Sequence, residues 1–254
     1  MRAVWRVAGA ILTVVALTLS TVTISAGFAQ ALLPTESSVR TIAFEGRTQL
    51  KIAADRGDVR VTVQAGEAGV IVIDRWLRWE QDKPSVSEDW DGRTLRLGAS
   101  CSGQPEQPLC EAEYHLLVPP ETDIEATAST GAVTVSRMYG DVRVSSVSGA
   151  VFVTETSGNL WARSGSGSVS GYDLRADHAD VEVGAGNVDL SFRTPPAKVR
   201  AVVRTSGDIT VELPEAAYDL TAEAPDIFLP TGRDPTSPRK ISLSTPEGTV
   251  TVCC

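Results

Sequence analysis

The most regular feature of the sequence is a short alternation of apolar and polar residues that recurs along the chain. In each unit a small residue and a glycine, or a weaker variant of that pair, precede a strand-like x-Val-x-Val pattern. The seven units begin at Thr130-Gly131, Ser148-Gly149, Ser166-Gly167, Ala185-Gly186, Ser206-Gly207, Ala224-Pro225 and Glu247-Gly248, 18 to 23 residues apart. Because side chains alternate between the two faces of a strand, each unit predicts a short strand with one buried face.

A second series of short apolar alternations lies between these units, and an earlier unit with both strands precedes them. The first strands have the predicted inward pairs Leu50/Ile52, Ile124/Ala126, Val142/Val144, Leu160/Ala162, Val181/Val183, Val199/Ala201, Leu220/Ala222 and Ile241/Leu243. The second strands have Val59/Val61, Val133/Val135, Val151/Val153, Val169/Gly171, Val188/Leu190, Ile209/Val211, Ile227/Leu229 and Val250/Val252. Only Gly171 departs from the apolar rule.

These patterns predict an all-β fold, a parallel β-solenoid of about eight coils with two short strands per coil. One coil cannot bury its own apolar face, so stacking of neighbouring coils supplies the core. An insertion at about 62–118 separates the first coil from the rest and contains the strand-like runs Val70–Ile73, Thr94–Leu97 and Tyr114–Val118. We expect it to form a small antiparallel excursion that covers the first coils.

The first thirty residues predict a membrane anchor or a signal segment. Arg2 and Arg6 precede 23 uncharged residues, which is long enough for a transmembrane helix with its arginines inside. The alternative is cleavage at Ala29-Gln30-Ala31, which has the small-x-small form of a signal-peptidase site. Either way the domain lies outside the cytoplasm, cell-membrane-bound or secreted. A linker over residues 31–41 then leads to the solenoid domain, residues 42–254.

Composition and motifs exclude several functions. A net charge of −9 argues against a nucleic-acid partner, which requires a basic surface. His115 and His178 stand 63 residues apart, without the spacing of a metal site. Gly165-Ser166-Gly167-Ser168 precedes a repeat strand rather than a helix, so it predicts a corner and not a phosphate loop. We therefore expect no metal, no cofactor and no enzymatic activity.

Outward positions offer the candidate binding residues. Trp161, Phe152 and Phe228 are aromatic residues on the predicted polar faces, where a ring could stack on a sugar or dock a partner. The alternative is that a loop covers them. The same faces place opposite charges on adjacent coils, with Glu125 beside Arg143 and Glu182 beside Arg200.

A group of carboxylates marks one turn. Asp173, Asp177 and Asp180 lie close together beside Arg175, and such a group could serve glycoside hydrolysis or bind calcium. Acidic residues also precede inward residues singly elsewhere in the repeats, and turn chemistry explains that pattern without catalysis.

The four cysteines fit an oxidising compartment. Cys101 and Cys110 flank a loop that contains proline and glycine, and a disulfide between them is favoured over a metal site. Cys253 and Cys254 have no obvious partner in the chain. They follow Val252, where we expect an unpaired strand edge, so self-association through the last coil is a natural hypothesis.

The order of these parts resembles a known group, the bacterial putative-adhesin family, a domain-of-unknown-function family common in actinobacteria. The resemblance rests on the repeated Ser-Gly-x-Val-x-Val units, the Cys101 and Cys110 pair, the segment Tyr114–Pro119 that leads into the coils, and the short N-terminal anchor. It implies an extracytoplasmic β-solenoid with an adhesin-like role. The terminal Cys253-Cys254 is not expected of that family.

Three functions follow as hypotheses. The first is a non-enzymatic, membrane-tethered protein that binds another protein or a cell-envelope polymer through an outward face. The second is a structural or envelope-stress scaffold that acts through another membrane protein. The third is a polysaccharide-acting enzyme that uses the turn from Asp173 to Asp180.

Overall fold

The structure is a computed structural model, and it describes residues 33–46, 48–56, 58–100, 110–229 and 234–253. Within these ranges every regular element is a β-strand. The strands are β1 (Thr35–Ala43), β2 (Gln49–Arg56), β3 (Val59–Ala65), β4 (Val70–Trp79), β5 (Ser85–Trp90), β6 (Thr94–Ser100), β7 (Cys110–Val118), β8 (Asp123–Ala128), β9 (Val133–Ser136), β10 (Val142–Ser146), β11 (Val151–Thr154), β12 (Leu160–Ser164), β13 (Val169–Leu174), β14 (His178–Val183), β15 (Val188–Phe192), β16 (Lys198–Val203), β17 (Ile209–Glu212), β18 (Asp219–Glu223), β19 (Asp226–Phe228), β20 (Lys240–Ser244) and β21 (Thr249–Cys253).

The strands form two long, mostly parallel sheets that face each other across a common core. The first sheet has the order β1-β4-β7-β3-β9-β11-β13-β15-β17-β21-β19, and the second has β18-β20-β16-β14-β12-β10-β8-β2-β6-β5. Each of the eight predicted coils gives one strand to each sheet. The coils are β2/β3, β8/β9, β10/β11, β12/β13, β14/β15, β16/β17, β18/β19 and β20/β21. The prediction of an all-β parallel solenoid is therefore confirmed.

The core is built from the inward side chains of both sheets, mainly Val, Leu, Ile and Ala. Nearly all of the predicted inward residues are buried, and Gly171 is buried among them. The exceptions lie in β18/β19, where Ala222 and Leu229 are only half-buried and Ile227 is 41% exposed. Among the described strands this layer is the last of the stack, so these side chains have a neighbouring layer on one side only.

The insertion differs from the prediction because half of it continues the solenoid. Strands β6 and β7 pair in parallel with β2 and β3 and so add a further layer to the stack. Only the outer strands are antiparallel, with β5 on β6 and β4 on β7. The chain before the first coil also joins the sheet: β1 pairs with β4 and takes up most of the segment predicted as a linker.

The last two coils along the chain are exchanged in space. Strands β20 and β21 pair directly with β16 and β17, and β18 and β19 lie outside them. The expected unpaired edge of the last coil is therefore wrong for residues 249–251, because β21 has β17 on one side and β19 on the other, although the β19 register ends before Val252. Among the described strands, the stack ends at this side on β18 and β19.

The corners between strands are held by stacked glycines and by stacked Asx side chains. A Cβ atom on Gly149 would lie 2.0 Å from the carbonyl oxygen of Gly131 in the coil below. At the other corner the backbone N–H of Asp141 donates to Asp123 Oδ1 at 2.9 Å, and that of Asn159 donates to Asp141 Oδ1 at 2.8 Å. Each coil thus satisfies an amide of the next one, which fixes their register.

Three predictions fall on residues outside the described ranges. They are the N-terminal anchor or signal segment, the disulfide partner Cys101, and Cys254. Cys110 itself is half-buried at the start of β7, and Cys253 is exposed at the end of β21. No helix within the described ranges has the length and apolar character needed to cross a bilayer.

Candidate functional site: the Trp161 groove

A groove of about 250 Å³ lies on the outer face of the second sheet, where β10, β12, β14 and β16 begin side by side. We call it the Trp161 groove. Its polar lining is Asp141, Arg143, Asn159, Trp161, His178, Asp180, Lys198 and Arg200. The alternation of each strand explains the lining, because Val142, Leu160, Ala179 and Val199 point into the core while their neighbours point outward.

The parallel register brings one residue from each of four strands into a row. Arg143 lies beside Trp161, Trp161 beside Asp180, and Asp180 beside Arg200. The sequence predicted Glu182 beside Arg200. In the backbone register the pairing is shifted by two residues and Glu182 lies opposite Val202, but Arg200 Nη1 still lies 3.5 Å from Glu182 Oε2, so the predicted opposite-charge contact is present. A shift of two keeps every side chain on its predicted face, so the pattern of burial does not reveal it.

Trp161 is half-buried, and two arginines cover it. The guanidinium carbon of Arg143 lies 4.8 Å from the ring centroid and that of Arg163 lies 4.4 Å from it. Cation–π contacts of this kind contribute on the order of 1 kcal/mol at a partly exposed site. The prediction left open whether a loop covers this ring. Flanking side chains cover part of it instead, and the indole orients two guanidinium groups.

An ion-pair network adjoins the groove along β12, β14 and β16. Asp180 Oδ1 lies 3.1 Å from Arg163 Nη2 and 3.0 Å from Arg200 Nη1, and Glu182 Oε1 lies 2.6 Å from Arg204 Nε. Partial burial opposes ionisation of Asp180, but the hydrogen bonds from the two arginines outweigh it and lower the pKa of that carboxyl. The hydrogen bond from Arg204 likewise lowers the pKa of Glu182. Both carboxylates are therefore ionised and engaged near neutral pH.

Two cations of the groove have no carboxylate partner among the described residues. Glu125 lies beside Arg143 in the register, as predicted, but it forms its ion pair with Lys51 at 2.8 Å. The ion pairs of the described residues include neither Arg143 nor Lys198, and both side chains are exposed. These two cations are thus available to an anionic group from solution.

The other two predicted aromatic residues lie elsewhere. Phe152 is 41% exposed on β11 and Phe228 is 62% exposed on β19, both in the first sheet. They are five strand positions apart, about 24 Å at the usual strand spacing. The structure therefore does not join Trp161, Phe152 and Phe228 into one site, and only Trp161 lines a groove that also contains charged groups.

The aspartates of the predicted turn have separate surroundings. Asp173 pairs with Arg193, whereas Asp180 belongs to the arginine network. Asp177 is exposed, and its backbone carbonyl accepts the N–H groups of Ala197 and Lys198. In the part of the chain that the structure describes, no group of His, Cys, Asp and Glu is arranged to hold a metal ion.

Sequence reasoning placed Arg143 and Arg200 on the outer face but did not identify them as part of a site. It also missed Lys198 and Arg163. The sequence did contain one indication of this site, because arginine and lysine recur at the outward positions near the beginning of these strands. Finding the groove from this signal would have required the register between coils.

Comparison with known proteins links the chain to one family and to several solved structures. The family model described as Toastrack DUF4097 matches residues 120–252, which include the whole Trp161 groove. No curated protein matches the chain.

Three of the similar structures illustrate the likeness. A putative cell adhesion protein from Clostridium sporogenes is 13% identical, with 86% of this chain and 99% of that one covered and a TM-score of 0.36. A putative adhesin from Bacteroides fragilis is 15% identical, with 85% and 97% covered and a TM-score of 0.44. A putative lipid binding protein from Parabacteroides distasonis is 10% identical, with 84% and 96% covered and a TM-score of 0.43.

Proposed function

The chain belongs to the Toastrack DUF4097 family, and from this premise we propose that it is a non-enzymatic binding protein that acts outside the cytoplasm. Its binding site is the Trp161 groove, and its ligand is a polymer of the cell envelope. The observation that carries this proposal is that Arg143 and Lys198, two exposed cations in the groove that Trp161 lines, have no carboxylate partner among the described residues.

The chemistry of the groove supports binding over catalysis. A general acid near neutral pH needs a carboxyl group whose pKa is raised. Asp180 lines the groove, but its two arginine partners lower its pKa and engage its oxygens. Asp141, at the other side, accepts the backbone N–H of Asn159. Asp180 therefore lacks the surroundings of a proton donor.

The proposal includes an N-terminal membrane tether, supported by the uncharged stretch after Arg2 and Arg6. The tether would hold the solenoid at the outer surface of the membrane, where polymer strands are within reach. Intact-mass measurement of the protein recovered from the membrane fraction checks this. A mass that lacks the first 31 residues would contradict the tether and leave a secreted protein.

A scaffold that docks on another membrane protein is the second candidate, favoured by one observation. The terminal layer exposes Ile227 and Phe228 at successive positions of β19, Ile227 on the inward face and Phe228 on the outward face. Exposed apolar groups at the end of a stack suit a protein contact more than a polar polymer. This candidate uses a different surface from the Trp161 groove, so the two can be tested separately.

The test is retention of the full chain, in mild detergent, on separated envelope polymer and on solubilised membrane proteins. We expect retention by polymer, weakened in Trp161→Ala because the ring that orients Arg143 is lost. Because the ring acts through Arg143, its removal should cost no more than the loss of that guanidinium group itself, about tenfold in affinity. Phe228→Ala, on the other sheet, is the matched control and should bind polymer as the wild type does.

Two results would change the proposal. Polymer retention that is unaltered by Trp161→Ala would remove the groove as the site. Retention of one membrane protein, lost in Phe228→Ala and kept in Trp161→Ala, would favour the scaffold function.

A further inference from the structure

The cations of the Trp161 groove narrow the class of ligand. We propose, resting on the binding function above, that the groove takes an anionic envelope polymer whose phosphate or carboxylate groups contact Arg143 and Lys198. A carboxylate presents its acceptor oxygens in a plane and a phosphate presents them in a tetrahedron. Arginine and lysine recognise both groups.

The state of the indole disfavours a neutral sugar. A sugar that stacks on tryptophan needs an open ring face. Arg143 and Arg163 already place guanidinium carbons 4.8 and 4.4 Å from the ring centroid. The ring therefore acts as a support that holds Arg143 in place, and a supported guanidinium loses less conformational freedom when it binds an anion.

The local charge has the opposite sign to that of the whole chain. Among the charged residues that line the groove, the three cations Arg143, Lys198 and Arg200 face two carboxylates, Asp141 and Asp180. The chain as a whole has a net charge of −9. The groove is thus a locally positive surface on an acidic chain, and an anionic ligand is attracted to it.

The spacing of the two available cations favours a polymer over a single ion. Arg143 is on β10 and Lys198 is on β16, three strand positions away. At the usual strand spacing that is about 14 Å, which one phosphate cannot bridge. Asp180 lies between them and is neutralised by Arg163 and Arg200. A chain with charges at intervals can place one at each end of the groove.

The test is a direct titration of the full chain in mild detergent with four defined probes. They are polygalacturonate as a carboxylated glycan, poly(glycerol phosphate) as a phosphodiester polymer, dextran as a neutral glycan, and inorganic phosphate as a free ion. The variants are Arg143→Gln and Lys198→Gln. Arg40→Gln, on exposed β1 at the far end of the first sheet, changes the net charge equally and is the control.

We expect the wild type to bind at least one anionic polymer and to bind dextran and inorganic phosphate at least tenfold more weakly. Each groove variant should weaken binding of the anionic polymer by about tenfold, the usual effect of losing one charge-assisted hydrogen bond. Arg40→Gln should not change it. Binding of polygalacturonate would identify carboxylates as the recognised groups, and binding of poly(glycerol phosphate) would identify phosphodiesters.

Failure of this inference and failure of the proposed function give different results. Equal binding of dextran, or unaltered binding by both groove variants, overturns the anionic ligand while polymer binding stands. So does retention on whole envelope polymer without binding to either anionic probe. Loss of every kind of polymer binding overturns both.

Discussion

At the scale of single residues, the corner glycines are the positions most sensitive to substitution. The corner at Gly149 passes so close to the coil below that an added Cβ would overlap a backbone carbonyl. Backbone cannot give way without shifting a whole coil. Gly171 is equally buried, but an added Cβ there would meet only the ends of Leu174 and Leu190, at 2.9 and 3.0 Å. Leucine ends can move by a rotamer change.

Gly149→Ala should therefore lower the free energy of unfolding by about 3 kcal/mol or more, and Gly171→Ala by less than about 1.5 kcal/mol. Urea unfolding followed by circular dichroism measures both. Equal losses would mean that the corner can relax and that close stacking does not require glycine there.

Residue-scale prediction from the sequence was accurate for burial and weak for contacts. Alternation identified the inward residues, because a strand has only two faces. It could not show that Asp180 rather than Glu182 lies opposite Arg200, because a shift of two residues preserves both faces. The Trp161 groove depends on that register, and so on turn lengths that the apolar pattern does not encode.

At the scale of the element, the second sheet is tied together on its outer face by charge as well as by backbone hydrogen bonds. Asp180 on β14 joins Arg163 on β12 to Arg200 on β16. Since folding lowers the pKa of Asp180 below its ordinary value of 3.8, its stabilisation is present above that value. It is lost as the pH falls through the lower value in the folded protein.

Asp180→Asn should destabilise the protein by up to about 1 kcal/mol at pH near 6, the usual range for partly exposed pairs. The difference from wild type should shrink as the pH falls from 3.8 through the lower pKa of the folded protein, because the wild-type carboxyl then becomes protonated. Urea midpoints at several pH values test this, with the exposed Glu121→Gln as control. A difference that stays constant down to pH near 2 would exclude the ionised carboxylate as the cause.

Strand direction in the insertion is the element-scale feature that sequence could not supply. The apolar run in β6 reads the same whether its neighbour is parallel or antiparallel. Its pairing with β2 depends on the chain path through β4 and β5, which brings β6 back in the same direction as β2. The apolar pattern within one strand does not determine this path, so it could not predict that β6 runs parallel to β2.

At the scale of the whole molecule, the exchanged order of the last two coils makes the end of the stack its least secured part. Strands β18 and β19 each pair on one side only, and Ile227 and Phe228 remain exposed. Strands β20 and β21 are closer to the end of the sequence but pair on both sides. They occupy the edges of β16 and β17, so β18 and β19 are joined to the rest of the two sheets only through β20 and β21.

Amide hydrogen exchange should therefore not be fastest in the coil nearest the end of the sequence, as chain position alone would predict. Amides in residues 214–229 should exchange sooner than amides in residues 240–253, because local opening of the terminal layer breaks the fewest contacts. Mass spectrometry of the peptides from these two regions resolves the difference. Slower exchange in 214–229 would mean that the terminal layer is held by more than its one neighbour.

The inserted position of β20 and β21 also separates the last coil of the described chain from the open edge of the array. A repeat protein can grow when a duplicated unit finds an open edge at the end of the array. Among the described strands that edge belongs to β18 and β19, one layer beyond β20 and β21. A coil fused after β21 would therefore have to cross the terminal layer before it could pair, and would need a longer connection than the corners that join the other coils.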